Sequence, residues 1–140
     1  MRTKMLNKFL LLLTFALFST LLLTTMSAQS NNWKAPASAK KIKNPLAKVV
    51  SASQKGKLLF KTNCVVCHGD KGKGNGVAAV ALNPKPADLS SDRVKKETDG
   101  ELFWKMGKGN GNMPAWKGTL KTEQRWQLVN YIRTLQKQKK

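Results

Sequence analysis

The chain is poor in acids, histidine and cysteine, and it has no long apolar run beyond its first 30 positions. Seven Asp and Glu stand against 26 Lys and Arg in 140 residues, which gives a formal net charge of +19. With one histidine, two cysteines and few acids near them, the chain cannot readily supply the four ligands of a structural zinc site. No segment alternates clearly enough to predict a strand hairpin. These absences favour a small helical protein.

The first 30 residues have the order of a secretory signal. Residues 1–8 carry three basic residues and no acid, residues 9–23 are almost entirely apolar, and residues 24–30 are small and polar. This order predicts a signal peptide over residues 1–28, cut after Ala28, although cuts near Ser27 or Ser30 stay open. The apolar run is shorter than the ~20 residues that span a bilayer. An uncleaved membrane anchor is the alternative.

Export would leave a basic protein in the periplasm or on the outer face of the cytoplasmic membrane. Removing residues 1–28 takes away three of the 26 basic residues and none of the seven acids, so 23 minus 7 leaves +16. Such a charge favours acidic partners and makes association sensitive to salt. Nucleic acid is the usual partner of a basic chain, but export argues against it.

Composition divides the chain into three regions, of which the signal peptide is the first. After the signal peptide, residues 29–50 contain two prolines and five lysines with no clear period. They predict an irregular lead-in, either draped over the domain through Trp33 or a disordered linker. Residues 51–140 are expected to form the folded domain.

The stretch CVVCH at residues 64–68 has several interpretations. A thioredoxin-type site would need a strand before it and βαβ surroundings, whereas the preceding segment has helical spacing. The glycine run that follows fails the P-loop pattern because Asn75 comes after Gly74. Gly74, Gly76 and Ala79 fit a loose dinucleotide pattern, but a charged turn precedes them where a strand is required.

The remaining interpretation of Cys-x-x-Cys-His is covalent attachment of a c-type haem. Residues three apart share one face of a helical turn, so Cys64 and Cys67 can both reach the vinyl groups of one porphyrin. His68 then projects toward the iron. Its second ring nitrogen is expected to donate to a proline carbonyl, with Pro86 preferred to Pro84.

The sixth ligand of the iron has two methionine candidates after loss of the signal. His68 is the only histidine, which excludes a bis-histidine haem made by this chain alone. Met113 is favoured because it lies in a glycine-rich loop before Pro114, which stiffens the chain. Met106 lies in a predicted helix, where methionine usually fills the core. A lysine or an open position is the remaining alternative. A His/Met pair would favour electron transfer.

Helix signals flank the motif. Ser51 or Ser53 is expected to cap a helix that ends near Asn63, with Gly56 at a close helix crossing. Thr98 and Glu101 fit a capping box.

The last helix is expected to open at Thr122 and Glu123. Its apolar stripe for the core contains Leu128, Tyr131, Ile132 and Leu135, widened by Trp126 and Val129. The predicted fold class is all-α, with three to five short helices around one covalently bound haem.

Over roughly residues 51–136 the chain resembles a class I cytochrome c of the small monohaem bacterial type. The motifs that carry the resemblance are CVVCH, GDKGKGNG, DGELFWKMGKG, NMPAW and RWQLVNYIRTL. The resemblance implies thioether bonds from Cys64 and Cys67, iron ligation by His68 and Met113, and one-electron transfer rather than catalysis.

The resemblance also implies that the first and last helices cross at Gly56 and Tyr131. The lead-in is additional to the minimal family pattern. The expected function is an exported electron carrier whose lysines dock on acidic redox partners, a donor complex and an acceptor, with contact to membranes only through those partners or an uncleaved anchor. One alternative is a haem enzyme or a gas or peroxide sensor with an open axial site. Another is a tethered electron-entry subunit of a membrane complex.

Overall fold

Helices make up the regular secondary structure of residues 33–137, the part of the chain that the computed structural model describes. The α-helices are α1 (Val50–Asn63), α2 (Val65–His68), α3 (Asp92–Lys95), α4 (Asp99–Lys108) and α5 (Thr122–Leu135). Short 3₁₀ helices cover Ala37–Lys41, Val77–Ala81 and Trp116–Gly118. Within the same residues, β pairing is limited to an isolated bridge between Asn110 and Met113. The all-α prediction with three to five short helices is confirmed. The predicted signal peptide, residues 1–28, lies outside the described residues.

The crossing of α1 and α5 is the main helix contact of the fold. Gly56 lies so close to α5 that a Cβ on it would be 2.6 Å from the carbonyl carbon of Gln127 and 3.0 Å from Cβ of Tyr131. One turn further along α1, the Phe60 ring packs on the Tyr131 ring, with 5.1 Å between ring centroids. The crossing therefore forms where the resemblance implied, because only a residue without a side chain lets the two backbones approach.

The apolar stripe of α5 forms the core, as the spacing predicted. Leu128, Val129, Ile132 and Leu135 are buried together with Trp126. Phe60 from α1, and Leu102 and Met106 from α4, complete this cluster. Met106 is thus the core filler that its helical position predicted.

Helix α1 begins without a side-chain cap. It opens at Val50 after Val49, and neither Ser51 nor Ser53 caps it, so the expected serine cap is corrected. The Ser53 hydroxyl instead donates to the Val50 carbonyl at 3.0 Å, inside the first turn. Both serines lie past the start of the helix and cannot reach its free N–H groups.

Helix α4 begins with the capping box that the sequence predicted. The Glu101 N–H donates to the Thr98 hydroxyl at 3.2 Å, and the Thr98 N–H donates to the Glu101 carboxylate at 2.7 Å. Burial alone raises the pKa of Glu101, but the hydrogen bonds to Thr98 and the positive charges of Lys40 and Lys105 hold that pKa below its ordinary value.

The lead-in from residue 33 to residue 49 packs against α4 and α5. Ala39 is fully buried, and a Cβ on Gly100 would lie 2.6 Å from the Ile42 carbonyl oxygen. The Asn44 amide donates to Asp99 at 2.8 Å and to the Asn130 side-chain oxygen at 2.7 Å. The Trp33 ring lies 6.4 Å from that of Trp104. Of the two expectations for this segment, the draped one describes residues 33–49.

None of the helices within residues 33–137 combines the length and the hydropathy needed to span a bilayer.

Candidate haem-binding site

Cys64, Cys67 and His68 share a single helical turn at the junction of α1 and α2. The Cys64 N–H closes α1 by donating to the Phe60 carbonyl at 2.9 Å, and its own carbonyl accepts from Cys67 at 3.2 Å and His68 at 2.8 Å. Both cysteines are half-buried free thiols. The turn puts the two sulfur atoms and the imidazole on adjoining positions.

The glycine run after the motif folds back onto it. The Gly74 N–H donates to the His68 carbonyl at 2.8 Å, and the Gly76 N–H donates to the Cys67 carbonyl at 3.1 Å. Gly74 has a φ of 73°, and a Cβ there would lie 3.1 Å from the Pro86 carbonyl carbon and still closer to its oxygen. These backbone N–H groups fix the C-terminal end of the motif, which is a structural use of the glycines and not a phosphate cradle.

The imidazole of His68 is oriented by a backbone carbonyl. Its Nδ1 lies 3.1 Å from the Ala87 carbonyl oxygen. The expected acceptor, Pro86, is therefore corrected by one residue. The Pro86 carbonyl is directed at the Gly74 backbone, so the next carbonyl along the chain is the one that meets the ring. With Nδ1 donating to Ala87, the Nε2 lone pair is left for another partner.

Burial sets the protonation of the motif. It lowers the pKa of His68 below its ordinary value of 6.5, against the opposing effect of the Ala87 hydrogen bond. Burial, with a contribution from Cys67, raises the pKa of the Cys64 thiol to about 12. At neutral pH the site therefore holds an uncharged imidazole and an uncharged thiol, which suits an apolar ligand and a coordinating nitrogen.

Met113 lies in a short, tightly closed loop between α4 and α5. Its N–H donates to the Asn110 carbonyl and its carbonyl accepts from the Asn110 N–H, both at 3.0 Å. Gly109 has a φ of 67°, and a Cβ there would lie 2.7 Å from the Met113 carbonyl oxygen. The side chain is half-buried against the hydrophobic core. Met113 thus lies half-buried in a loop closed by backbone hydrogen bonds, whereas Met106 is enclosed in the core.

These residues form a donor set that fits a c-type haem. Cys64, Val65 and Met113 pack against the same hydrophobic core, on which Leu89 and Trp116 are also only partly buried. Two free thiols on one turn, a neutral imidazole with a free nitrogen and a thioether meet the chemical needs of thioether attachment and axial ligation. Within the described part of the chain, no three His, Cys, Asp or Glu residues cluster as a metal site.

An exposed apolar surface lies beside the motif, and the sequence patterns above did not predict it. Val77 and Val80, on the 3₁₀ helix, are 84% and 81% exposed, and Val66 on α2 is exposed as well. The 3₁₀ helix packs closely on α2, since a Cβ on Gly76 would lie 2.6 Å from the Val66 carbonyl carbon. We call these three residues the valine patch. The spacing of three between Val77 and Val80 was its signal, because residues three apart eclipse in a 3₁₀ helix.

Fold and site together define a cytochrome c domain. Residues 51–132, more than half of the chain, match the family model described as cytochrome c oxidase, cbb3-type, subunit III. The chain belongs to that family, and its cofactor is therefore covalently bound haem c.

A curated relative agrees with this placement. The chain is 36% identical over 83 residues to the cbb3-type cytochrome c oxidase subunit FixP of Bradyrhizobium diazoefficiens. The alignment covers 58% of this chain and 27% of FixP. The chain therefore spans little more than a quarter of that relative's length.

Proposed function

We propose that the chain is an exported monohaem c-type cytochrome that carries single electrons between respiratory or related redox partners. The observation that carries the proposal is the turn at residues 64–68, where two free thiols stand beside an imidazole fixed through Nδ1 by the Ala87 carbonyl. A family match over the same helices supports it. Its place is the periplasm or the outer face of the cytoplasmic membrane.

Four side chains hold the cofactor in this proposal. Cys64 and Cys67 bind it covalently through thioether bonds, and His68 and Met113 are the axial ligands of the iron. The Ala87 carbonyl keeps the His68 ring in one tautomer and one orientation. When bound, the haem supplies a one-electron couple between Fe(II) and Fe(III).

The valine patch is the docking surface for acidic redox proteins in this proposal. It adjoins Cys67, so a partner seated there comes close to the attached group. Exposed lysines flank it along the chain, with Lys61 and Lys71 on either side of the 64–68 turn. An apolar centre with a positive surround fits a negatively charged partner and makes association salt-sensitive.

Absorption spectra of the holoprotein test the ligand set. We expect a six-coordinate, low-spin iron in both oxidation states that binds carbon monoxide poorly, since His68 and Met113 fill both axial positions. Met113→Ala should bind carbon monoxide readily, whereas Met106→Ala should keep the wild-type spectrum. Wild-type protein that binds carbon monoxide as readily as Met113→Ala would favour the open-site enzyme or sensor.

Two exposed valines of equal accessibility test the docking surface. Val77 lies in the valine patch and Val50 lies at the start of α1, and they are 84% and 82% exposed. Electron exchange with an acidic blue-copper protein at low salt should slow about tenfold for Val77→Asp, equivalent to about 1.4 kcal/mol. Val50→Asp carries the same charge change and should stay within about twofold. If both variants slowed equally, the slowing would come from net charge alone, and the valine patch would not be the docking surface.

A second candidate is an electron-entry subunit tethered in a membrane complex. The similarity to FixP, which is described as a subunit of a cbb3-type oxidase, favours it. The mass of the mature chain separates the two candidates. A chain that starts near residue 29 is a free carrier, and a chain that retains residues 9–23 is tethered.

A further inference from the structure

Arg125 is a buried cation on α5 that no carboxylate neutralises in residues 33–137. The residue is 6% exposed, and desolvation lowers the pKa of its guanidinium. Among the described residues its Nε has no hydrogen-bond partner, and Nη2 reaches the Thr122 hydroxyl at 3.5 Å. A buried charge left without a counter-ion destabilises a fold. Arg125 is therefore a poor residue for stabilising the core, which directs attention to what its guanidinium contacts.

The guanidinium is sandwiched between an aromatic ring and the end of α4. Its central carbon lies 4.2 Å from the centroid of the Phe103 ring, which in turn stacks on Trp126 at 3.9 Å. Gly107, in the last turn of α4, is so near that a Cβ on it would be 2.6 Å from Nη1 of Arg125 and 3.8 Å from Cβ of Lys117. The cation thus stands where the two ends of the loop from residue 109 to residue 118 meet.

At the base of this loop, close backbone contacts link Gly107 to Met113 through a few residues. Gly109 follows two residues after Gly107, and its position is fixed by close approach to Met113, Pro114 and Ala115. The paired hydrogen bonds between Asn110 and Met113 close the loop. A shift at Gly107 therefore moves the backbone that carries Met113.

We propose that Arg125 is a positioning residue: its guanidinium, held over the Phe103 ring and against Gly107, fixes the base of the loop and keeps Met113 on the haem iron. The inference rests on the proposed function, in which Met113 is an axial ligand. Displacement of Met113 by an added ligand then measures how firmly the loop is held.

Imidazole titration of the ferric holoprotein is the test, followed by absorption. Arg125→Met should raise the apparent imidazole affinity about tenfold, equivalent to about 1.4 kcal/mol of weaker competition from Met113. The control, Arg133→Met, removes an arginine of the same helix that is bound to Asp99 at 2.7 Å. It should lower stability yet leave the imidazole affinity within about twofold.

A second pair of variants keeps Arg125 in place, in case its loss prevents folding. Gly107→Ala puts a methyl group against Nη1 and must displace the guanidinium, whereas Gly118→Ala, at the other end of the same loop, meets no atom within 4 Å. Gly107→Ala should raise the imidazole affinity at least about threefold. Gly118→Ala should not change it.

Met113→Ala calibrates the outcome. It should give the highest imidazole affinity of the set, because no thioether competes. If Met113→Ala responds while Arg125→Met and Gly107→Ala both bind imidazole as the wild type does, the inference about Arg125 is wrong and the ligand assignment stands. If Met113→Ala itself equals the wild type, Met113 is not the ligand and the inference falls with it.

Discussion

The crossing of α1 and α5 predicts a large effect for a single methyl group at Gly56. A Cβ there would lie 2.6 Å from the Gln127 carbonyl carbon and closer still to its oxygen, where ordinary contact begins at 3.4 Å, so the helices must separate by more than about 0.8 Å. Overpacking of this kind costs about 1–3 kcal/mol, and the upper end applies because the neighbour is backbone and cannot rotate away. Alanine recovers about 1 kcal/mol of helix propensity. Gly56→Ala should therefore lower the free energy of unfolding by about 2 kcal/mol.

Guanidinium unfolding of the holoprotein, followed by far-ultraviolet circular dichroism, measures this loss. A fall of about 2 kcal/mol corresponds to a melting temperature lower by roughly 10 °C for a domain of this size. The exposed neighbour Lys57 supplies the control, and Lys57→Ala should stay within about 0.5 kcal/mol. A Gly56→Ala protein as stable as the wild type, or more stable, would refute the close crossing, since propensity alone would then decide the result.

Two further predictions concern the start of α4 and the packing of the lead-in. Glu101→Gln should lose about 1 kcal/mol at pH 7, because a charged capping carboxylate stabilises a helix start. The pKa of Glu101 is depressed in the folded state, so its contribution is present at neutral pH and is lost as pH falls through that value. The difference from wild type in urea unfolding should therefore shrink as the solution is acidified and vanish once the pH is below the depressed pKa of Glu101. Asn44→Ala should lower stability by about 1–2 kcal/mol, since it removes the bonds to Asp99 and Asn130. Lys43→Ala, which changes an exposed neighbour, should not, and equal melting temperatures for the two variants would contradict the packed lead-in.

Short-range patterns allowed much of this architecture to be predicted. Thr98 and Glu101 of the capping box are three positions apart, and the stripe of α5 follows the helical period, so both are visible in one sequence. The attachment motif is equally local. The family match then confirmed the cofactor that CVVCH predicted.

What the sequence left undecided depends on contacts between distant segments. The acceptor for His68 is Ala87 and not Pro86, because the Pro86 carbonyl meets Gly74, a detail of loop packing. The lead-in packs through Asn44, whose partners lie 55 and 86 residues away.

The burial of Arg125 was not predicted, because the chain has many other lysines and arginines that are expected to be solvated. It stands three, four and seven residues before Leu128, Val129 and Ile132, so it belongs to the buried stripe of α5. That helical spacing was the one local signal of its burial. Its contacts with Phe103 and Gly107 required the tertiary structure.

Attachment of the haem at residues 64–68 is the central claim, and peptide mass spectrometry tests it most directly. The protein is produced in a host that exports it and has cytochrome c maturation machinery, then denatured and digested with trypsin. The fragment TNCVVCHGDK, residues 62–71, should carry the mass of one haem and resist thiol alkylation at both Cys64 and Cys67. The same fragment without haem, with both cysteines alkylated, would contradict the account.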